Sequence, residues 1–170
     1  IKRWRYKNST VLKVMNRKYT KEQYLSLVEK MKEKIPNVVF TTDIIVGFPG
    51  ETEEDFEDTL DVVSKVKFEQ VFMFIYSRRK GTVADTMKNQ IPEEIKHKRF
   101  DRLKALVESQ IEGNNKKYIG TIQKVLIDGT SKTNEEMLTG RTDSNKVVVL
   151  KADKNVIGKI KKVRIIKKNY

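Results

Sequence analysis

The chain has 170 residues, 38% of them hydrophobic and 35% charged, which is room for one medium domain or two small ones with an adequate core. No apolar run approaches a membrane span, no amino-terminal segment reads as a secretory leader, and the absence of cysteine excludes disulfides and thiolate metal sites. The cytosol is the expected compartment. A net charge of +13 points to a polyanionic partner, and that charge is uneven: residues 1–117 carry a net +6 and residues 118–170 a net +7 in less than half the length.

In chain order, the first seven residues interleave four basic side chains with Trp4 and Tyr6. Thr20 and Gln23 form a capping box for a helix over Lys21–Lys34, with Tyr24, Leu27, Val28 and Met31 on one face. Residues 38–46 are rich in Val, Ile, Phe and Thr and read as a buried strand. The strand stops at Gly47-Phe48-Pro49-Gly50, where glycine opens backbone angles closed to other residues. Thr52, with Asp55 three residues on, caps a helix over Glu53–Val66, and an apolar run over residues 70–77 forms a second strand. Strand, helix and strand make a βαβ unit with parallel strands, whose carboxyl ends are where ligands collect. By itself the Gly-Pro-Gly turn is equally explained as a tight connection.

Arg78-Arg79-Lys80-Gly81 is a basic turn, and Pro92 opens a long helix over residues 92–115. Six carboxylates between Glu53 and Asp61 read as a solvated face with favourable amino-terminal charge rather than a metal site. His97, the one histidine, lies among Lys96, Lys98 and Arg99 and reads as a solvated helix residue. Beyond Gly120, strands over residues 121–128, 137–142, 146–150 and 158–166 alternate with turn residues, the pattern of a small antiparallel barrel. Lys132 lies in the turn after the first of them. No aromatic occurs between Ile119 and Asn169, so the usual stacking platform for single strands is missing. Arg141, Thr142, Asn145 and Lys146 border one turn, with Lys161 and Arg164 nearby, a set suited to phosphates and folded RNA.

Several motifs in order, VLKVMNRKYT, DIIVGFPGETEEDFEDTL, FIYSRRKGTVA and GRTDSNKVVV, resemble the methylthiotransferases of the radical S-adenosylmethionine (SAM) superfamily. The resemblance implies an α/β fold joined to an all-β one. Residues 1–117 would be the carboxyl-terminal part of a TIM-like radical SAM βα barrel, and residues 118–170 an OB-like TRAM barrel that binds RNA. It implies SAM and two [4Fe-4S] clusters as cofactors. The cluster cysteines are absent here, so the chain is expected to be part of a larger enzyme and inert alone. The missing amino-terminal part of that enzyme and a tRNA anticodon stem-loop are the implied partners, with no membrane. The strand ends would line the SAM pocket through Asp43, Gly47, Pro49, Tyr76 and Ser77. Arg17 would pair with the methionyl carboxylate, or else form a surface ion pair.

Relatives that modify a ribosomal protein carry acidic residues where this chain has Arg79 and Lys80, so a basic rim favours tRNA. The implied reaction adds a methylthio group to C2 of N6-isopentenyladenosine next to the anticodon. An enzyme for threonylcarbamoyladenosine, one for a ribosomal protein and a standalone RNA-binding adaptor are the alternatives. With only two parallel strands, Ile44, Val46, Phe72 and Phe74 are expected to face a partly open interior and to favour self-association.

Overall fold

The computed structural model describes residues 19–167. The chain divides into two compact units, Ile1–Glu112 and Gly113–Tyr170. The opening basic-aromatic segment and Arg17 lie outside the described residues.

In the first unit, helix α1 (Lys21–Lys34) starts at a reciprocal capping box between Thr20 and Gln23, as its sequence predicts. Strand β1 (Thr41–Val46) is followed by α2 (Glu53–Val66), capped by the same device with Thr52 and Asp55. Lys67 ends α2 in the left-handed region, and β2 (Gln70–Ile75) then runs parallel to β1 in register from Thr41↔Gln70 to Val46↔Ile75. A one-turn helix, α3 (Val83–Thr86), absent from the sequence reading, follows the basic turn because Thr82 caps it through the Asp85 amide. The long helix α4 runs Glu93–Lys116.

Packing assigns the two faces of the β1–β2 pair. Val28, Ile44, Val46, Phe56, Val63, Phe68, Leu103 and Val107 share one core, so Ile44 and Val46 are buried on the helix-covered side. The opposite face carries Asp43 beside Phe72 and Ile45 beside Phe74, and the two phenylalanines are 47% and 51% exposed. The expectation that Ile44 and Val46 join Phe72 and Phe74 on an open interior is therefore corrected. Side chains alternate across a strand, and Ile44 and Val46 have the parity of Thr42, which is buried.

The second unit is a four-stranded antiparallel sheet, β3 (Ile122–Thr130), β4 (Leu138–Thr142), β5 (Val147–Leu150) and β6 (Ile160–Arg164), ordered β5-β4-β3-β6. Val125, Ile127 and Leu138 form its buried core, with Val148, Leu150, Val156 and Val163 packed against them. A register shift between Ile127 and Gly129 places an extra residue, Asp128, in β3. Gly140 lets β4 cross β3 closely: a Cβ there would lie 2.4 Å from the Leu126 carbonyl oxygen.

Candidate functional sites

Two places collect the residues that the sequence singles out: the strand ends of the first unit and the sheet of the second. At the first, β1 runs into the buried Gly47-Phe48-Pro49 turn, and Gly47 and Gly50 both adopt positive φ, 77° and 83°. The turn is held from within and from α4. The Gly47 amide donates to Glu51 Oε2 at 3.0 Å, and the Glu51 amide donates to the Phe48 carbonyl at 2.9 Å. Arg99 of α4 donates to Glu51 Oε1 at 2.8 Å and to its carbonyl at 3.1 Å, and its Nε reaches Glu53. Both partners of the Arg99–Glu51 pair are buried, which requires the charges to be matched in this way.

Lys96, one turn before Arg99, is also buried. Its ammonium donates to the Tyr76 carbonyl at 3.2 Å and to Glu93 at 2.6 Å, and lies 5.4 Å from the Tyr76 ring centroid. Its stem fills the space that a Cβ on Gly47 would take, at 2.4 Å from Cγ. Gly50 meets Asn89 in the same way and donates its amide to the Asn89 carbonyl. The missing Cβ atoms of this turn thus admit the protein's own side chains. Glu51, Lys96, Asn89 and Arg99 are the residues that sequence reasoning missed. A Lys and an Arg three apart on a charged helix carry no sign of burial, and Glu51 and Glu53, the partners of Arg99, lie more than forty residues away.

Of the predicted cofactor residues, the structure brings Gly47, Pro49 and Tyr76 together around that turn. Phe48 packs edge-on to Tyr76 at 5.4 Å between centroids, and the Tyr76 hydroxyl is buried without a hydrogen-bond partner among the described residues. Asp43 sits lower on β1, on the open face, and Ser77 is exposed just past β2. Arg79 and Lys80 are exposed in the turn before α3, where the Arg79 carbonyl accepts from Thr82.

The carboxylate run of α2 is exposed at Glu53, Glu54 and Glu57, as expected, and it is also ion-paired. Glu53 and Glu57 meet Arg102, Glu53 also meets Arg99, and Asp58 and Asp61 converge on buried Lys21. Burial opposes ionisation of Glu53, but hydrogen bonds from Arg102 and Arg99 outweigh it and hold its carboxyl below the usual range. Hydrogen bonds from Lys21 and Lys65 likewise lower Asp61. His97 is exposed on α4 with Nδ1 3.1 Å from the Glu93 carbonyl oxygen. Among the described residues no group of three His, Asp or Glu side chains could hold a metal ion.

In the second unit the predicted RNA-binding residues separate by role. Thr142 is buried and its hydroxyl accepts from the Lys146 amide, so it shapes the turn. Asn145 occupies the left-handed corner of that turn at φ 62° and accepts from Arg141 at 3.0 Å. Lys146 lies 5.7 Å from the Tyr118 ring centroid, and the Tyr118 hydroxyl is 3.3 Å from Ser144 Oγ. Tyr118, one residue before the aromatic-free stretch, thus packs on this turn. Arg141, Lys132, Lys161 and Arg164 are exposed.

Residues 5–63 match the radical SAM superfamily, and residues 116–169 match the TRAM domain. The chain is 52% identical over 158 residues, 93% of its length, to a tRNA-2-methylthio-N(6)-dimethylallyladenosine synthase of Acetivibrio thermocellus. It is 55% identical over 159 residues, 94% of its length, to the proteins of that name from Clostridium botulinum strain Eklund 17B and Caldicellulosiruptor saccharolyticus. It spans 33%, 35% and 34% of those three relatives, about a third of their length. Radical SAM and TRAM segments are both present in this chain.

Proposed function

We propose that this chain is the carboxyl-terminal third of a radical SAM tRNA methylthiotransferase, with residues 1–117 ending the SAM barrel and residues 118–170 holding tRNA. The observation that carries this reading is that the likeness to the synthases covers 93–94% of the chain and so takes in both units. The parent enzyme would place a methylthio group on C2 of N6-isopentenyladenosine beside the anticodon, in the cytoplasm. No described helix is long and apolar enough to cross a membrane, which accords with that setting.

The residues at hand fit the cofactors unequally. Iron–sulfur clusters need thiolates, and this sequence has no cysteine, so no step is assigned through a cluster held by these residues. SAM fits better. The buried Tyr76 hydroxyl lacks a partner, and a buried polar atom of that kind is costly unless a ligand satisfies it. Tyr76, Pro49 and Gly47 would form one wall, Ser77 its rim, and Asp43 with Arg17 would contact the ribose and carboxylate. When bound, and given one electron by a cluster held outside this chain, SAM would supply a carbon radical for removing the C2 hydrogen of the substrate base. The contribution of this chain is to fix the wall: Arg99, Glu51 and Lys96 hold the turn from α4. Arg79 and Lys80 would form a basic rim for the tRNA backbone, and Phe72 and Phe74 would be covered by the rest of the barrel or by a second copy.

Two experiments test this reading. Incubating the purified chain with iron, sulfide and SAM is expected to give neither cluster absorbance nor deoxyadenosine; stoichiometric cluster formation with SAM cleavage overturns the fragment reading. Titrating a tRNA anticodon stem-loop into the chain over a range of salt is expected to give a log–log slope of roughly −3 to −5, for four to six phosphate contacts. No binding at the lowest salt removes tRNA as the partner of residues 118–170.

A further inference from the structure

The four-stranded sheet has one face on its core and one in solvent, and the solvent face has an unusual composition. Pairing between β3 and β6 sets Ile122 beside Arg164, Lys124 beside Lys162, and Leu126 beside Ile160. These six have the parity opposite to buried Val125 and Ile127. The last row continues across the sheet, because Leu126 pairs with Arg141 on β4 and Arg141 with Val147 on β5. The aliphatic members are well exposed: Ile122 58%, Leu126 47%, Ile160 67% and Val147 60%. An apolar row on a solvated sheet face adds nothing to the buried core of this unit and leaves apolar surface in water. The carboxylate that follows Leu126 and Ile127 on β3, Asp128, is engaged by Thr139 and Arg141. Charge complementarity therefore selects an anionic occupant.

We infer that this face is a platform for unpaired RNA, in which aliphatic side chains stand where aromatic stackers usually do. The inference rests on the tRNA reading above and specifies where and how the RNA lies. Lys124, Lys162 and Arg164 take successive phosphates, while Leu126, Ile160 and Val147 lie against ribose and base faces. Only unpaired nucleotides offer those apolar faces; an A-form duplex presents phosphates and hydroxyls on its outside. The platform is distinct from the turn at Thr142–Lys146, whose side chains are largely engaged with one another.

The test is binding of an RNA hairpin with an unpaired loop, and of a fully paired duplex, to the whole chain and three variants that keep its circular dichroism. Lys124→Glu/Lys162→Glu is expected to weaken hairpin binding at least about tenfold and to flatten the salt slope by about two units. Leu126→Ser/Ile160→Ser is expected to weaken it about three- to tenfold while leaving the slope unchanged, the signature of a non-ionic contact. Lys151→Glu/Lys154→Glu, a charge-matched pair off the sheet, is expected to cost less than about threefold. Equal affinity for hairpin and duplex overturns the platform, as does wild-type affinity in either face variant. Loss of self-association in the Ser variant, with RNA binding intact, would assign the face to a protein partner instead. Failure of the wild-type chain to bind any RNA would strike the tRNA reading itself.

Discussion

Charged side chains do opposite work in the two units. In the α/β unit they turn inward: Lys21, Lys96, Arg99 and Glu51 are buried, and each cation faces a carboxylate of the same unit. In the sheet unit Lys124, Arg141, Lys161, Lys162 and Arg164 stand on the surface, and Arg141 meets Asp128 at 3.5 Å. The first unit carries a net +4 and the second a net +9, and buried cations of the first are paired with its own carboxylates. Net charge thus sets the class of partner, but the pairing of charges decides which surface meets it.

The largest effects should come from the inward charges and the core beneath them. Phe56 is fully buried under the guanidiniums of Arg99 and Arg102, and Phe56→Ala should cost the α/β unit about 3–5 kcal/mol. Glu51→Ala, which leaves Arg99 buried without its main partner, should cost a similar ~3–5 kcal/mol. Differential denaturation read at Trp-free, unit-specific amide signals should show both losses in the first unit only. Equal loss in the two units would break the comparison.

Glycine replacements should rank next and separate two kinds of crowding. Gly140→Ala sets a Cβ against the Leu126 carbonyl, which belongs to a paired strand and has no room to yield. Gly47→Ala meets the flexible Lys96 stem but at positive φ. Each should cost about 1–3 kcal/mol in its own unit by urea unfolding. In Gly47→Ala the Lys96 contact with Tyr76 should be displaced, seen as a changed tyrosine fluorescence.

The sequence made the secondary structure of both units legible, because its signals are local. Thr20 with Gln23 and Thr52 with Asp55 mark two helix starts within three residues, and the turn residues after Thr142 mark a strand end. By contrast, β3 runs past Asp128 to Thr130, because Gly129 and Thr130 pair with β4. Strand faces in the first unit were not legible. Ile44, Ile45 and Val46 are all apolar, so no alternation shows which side the helices cover. The clamp on the Gly47 turn was hidden for another reason. Arg99 and Glu51 are 48 residues apart, and each looks like an ordinary surface charge in its own segment. Of the RNA platform only Arg164 was legible; strand register alone shows that Lys124, Lys162, Leu126 and Ile160 share its face.

Acid should sharpen the contrast with a smaller effect. Glu53 and Asp61 are held below their ordinary values of 4.5 and 3.8 by their cationic partners. Their contribution is complete above those values and is lost as pH falls through the lower folded-state values. The urea midpoint of the α/β unit should therefore fall below about pH 4 while that of the sheet unit falls less. A parallel decline in both would contradict the assignment. Smallest of all, Lys98→Ala removes an exposed pair with Glu94 and should change stability by no more than about 0.5 kcal/mol.

The central claim is that the sheet unit holds RNA while the α/β unit, whose buried cations are already paired, does not dominate binding. Amide hydrogen exchange of the whole chain with and without the hairpin RNA tests it most directly. The account predicts slowed exchange in β3 and β6 and in the Thr142–Lys146 turn, with α1, α2 and the Gly47 turn unchanged. Protection concentrated in α1 and α2, with the sheet unaltered, would contradict it.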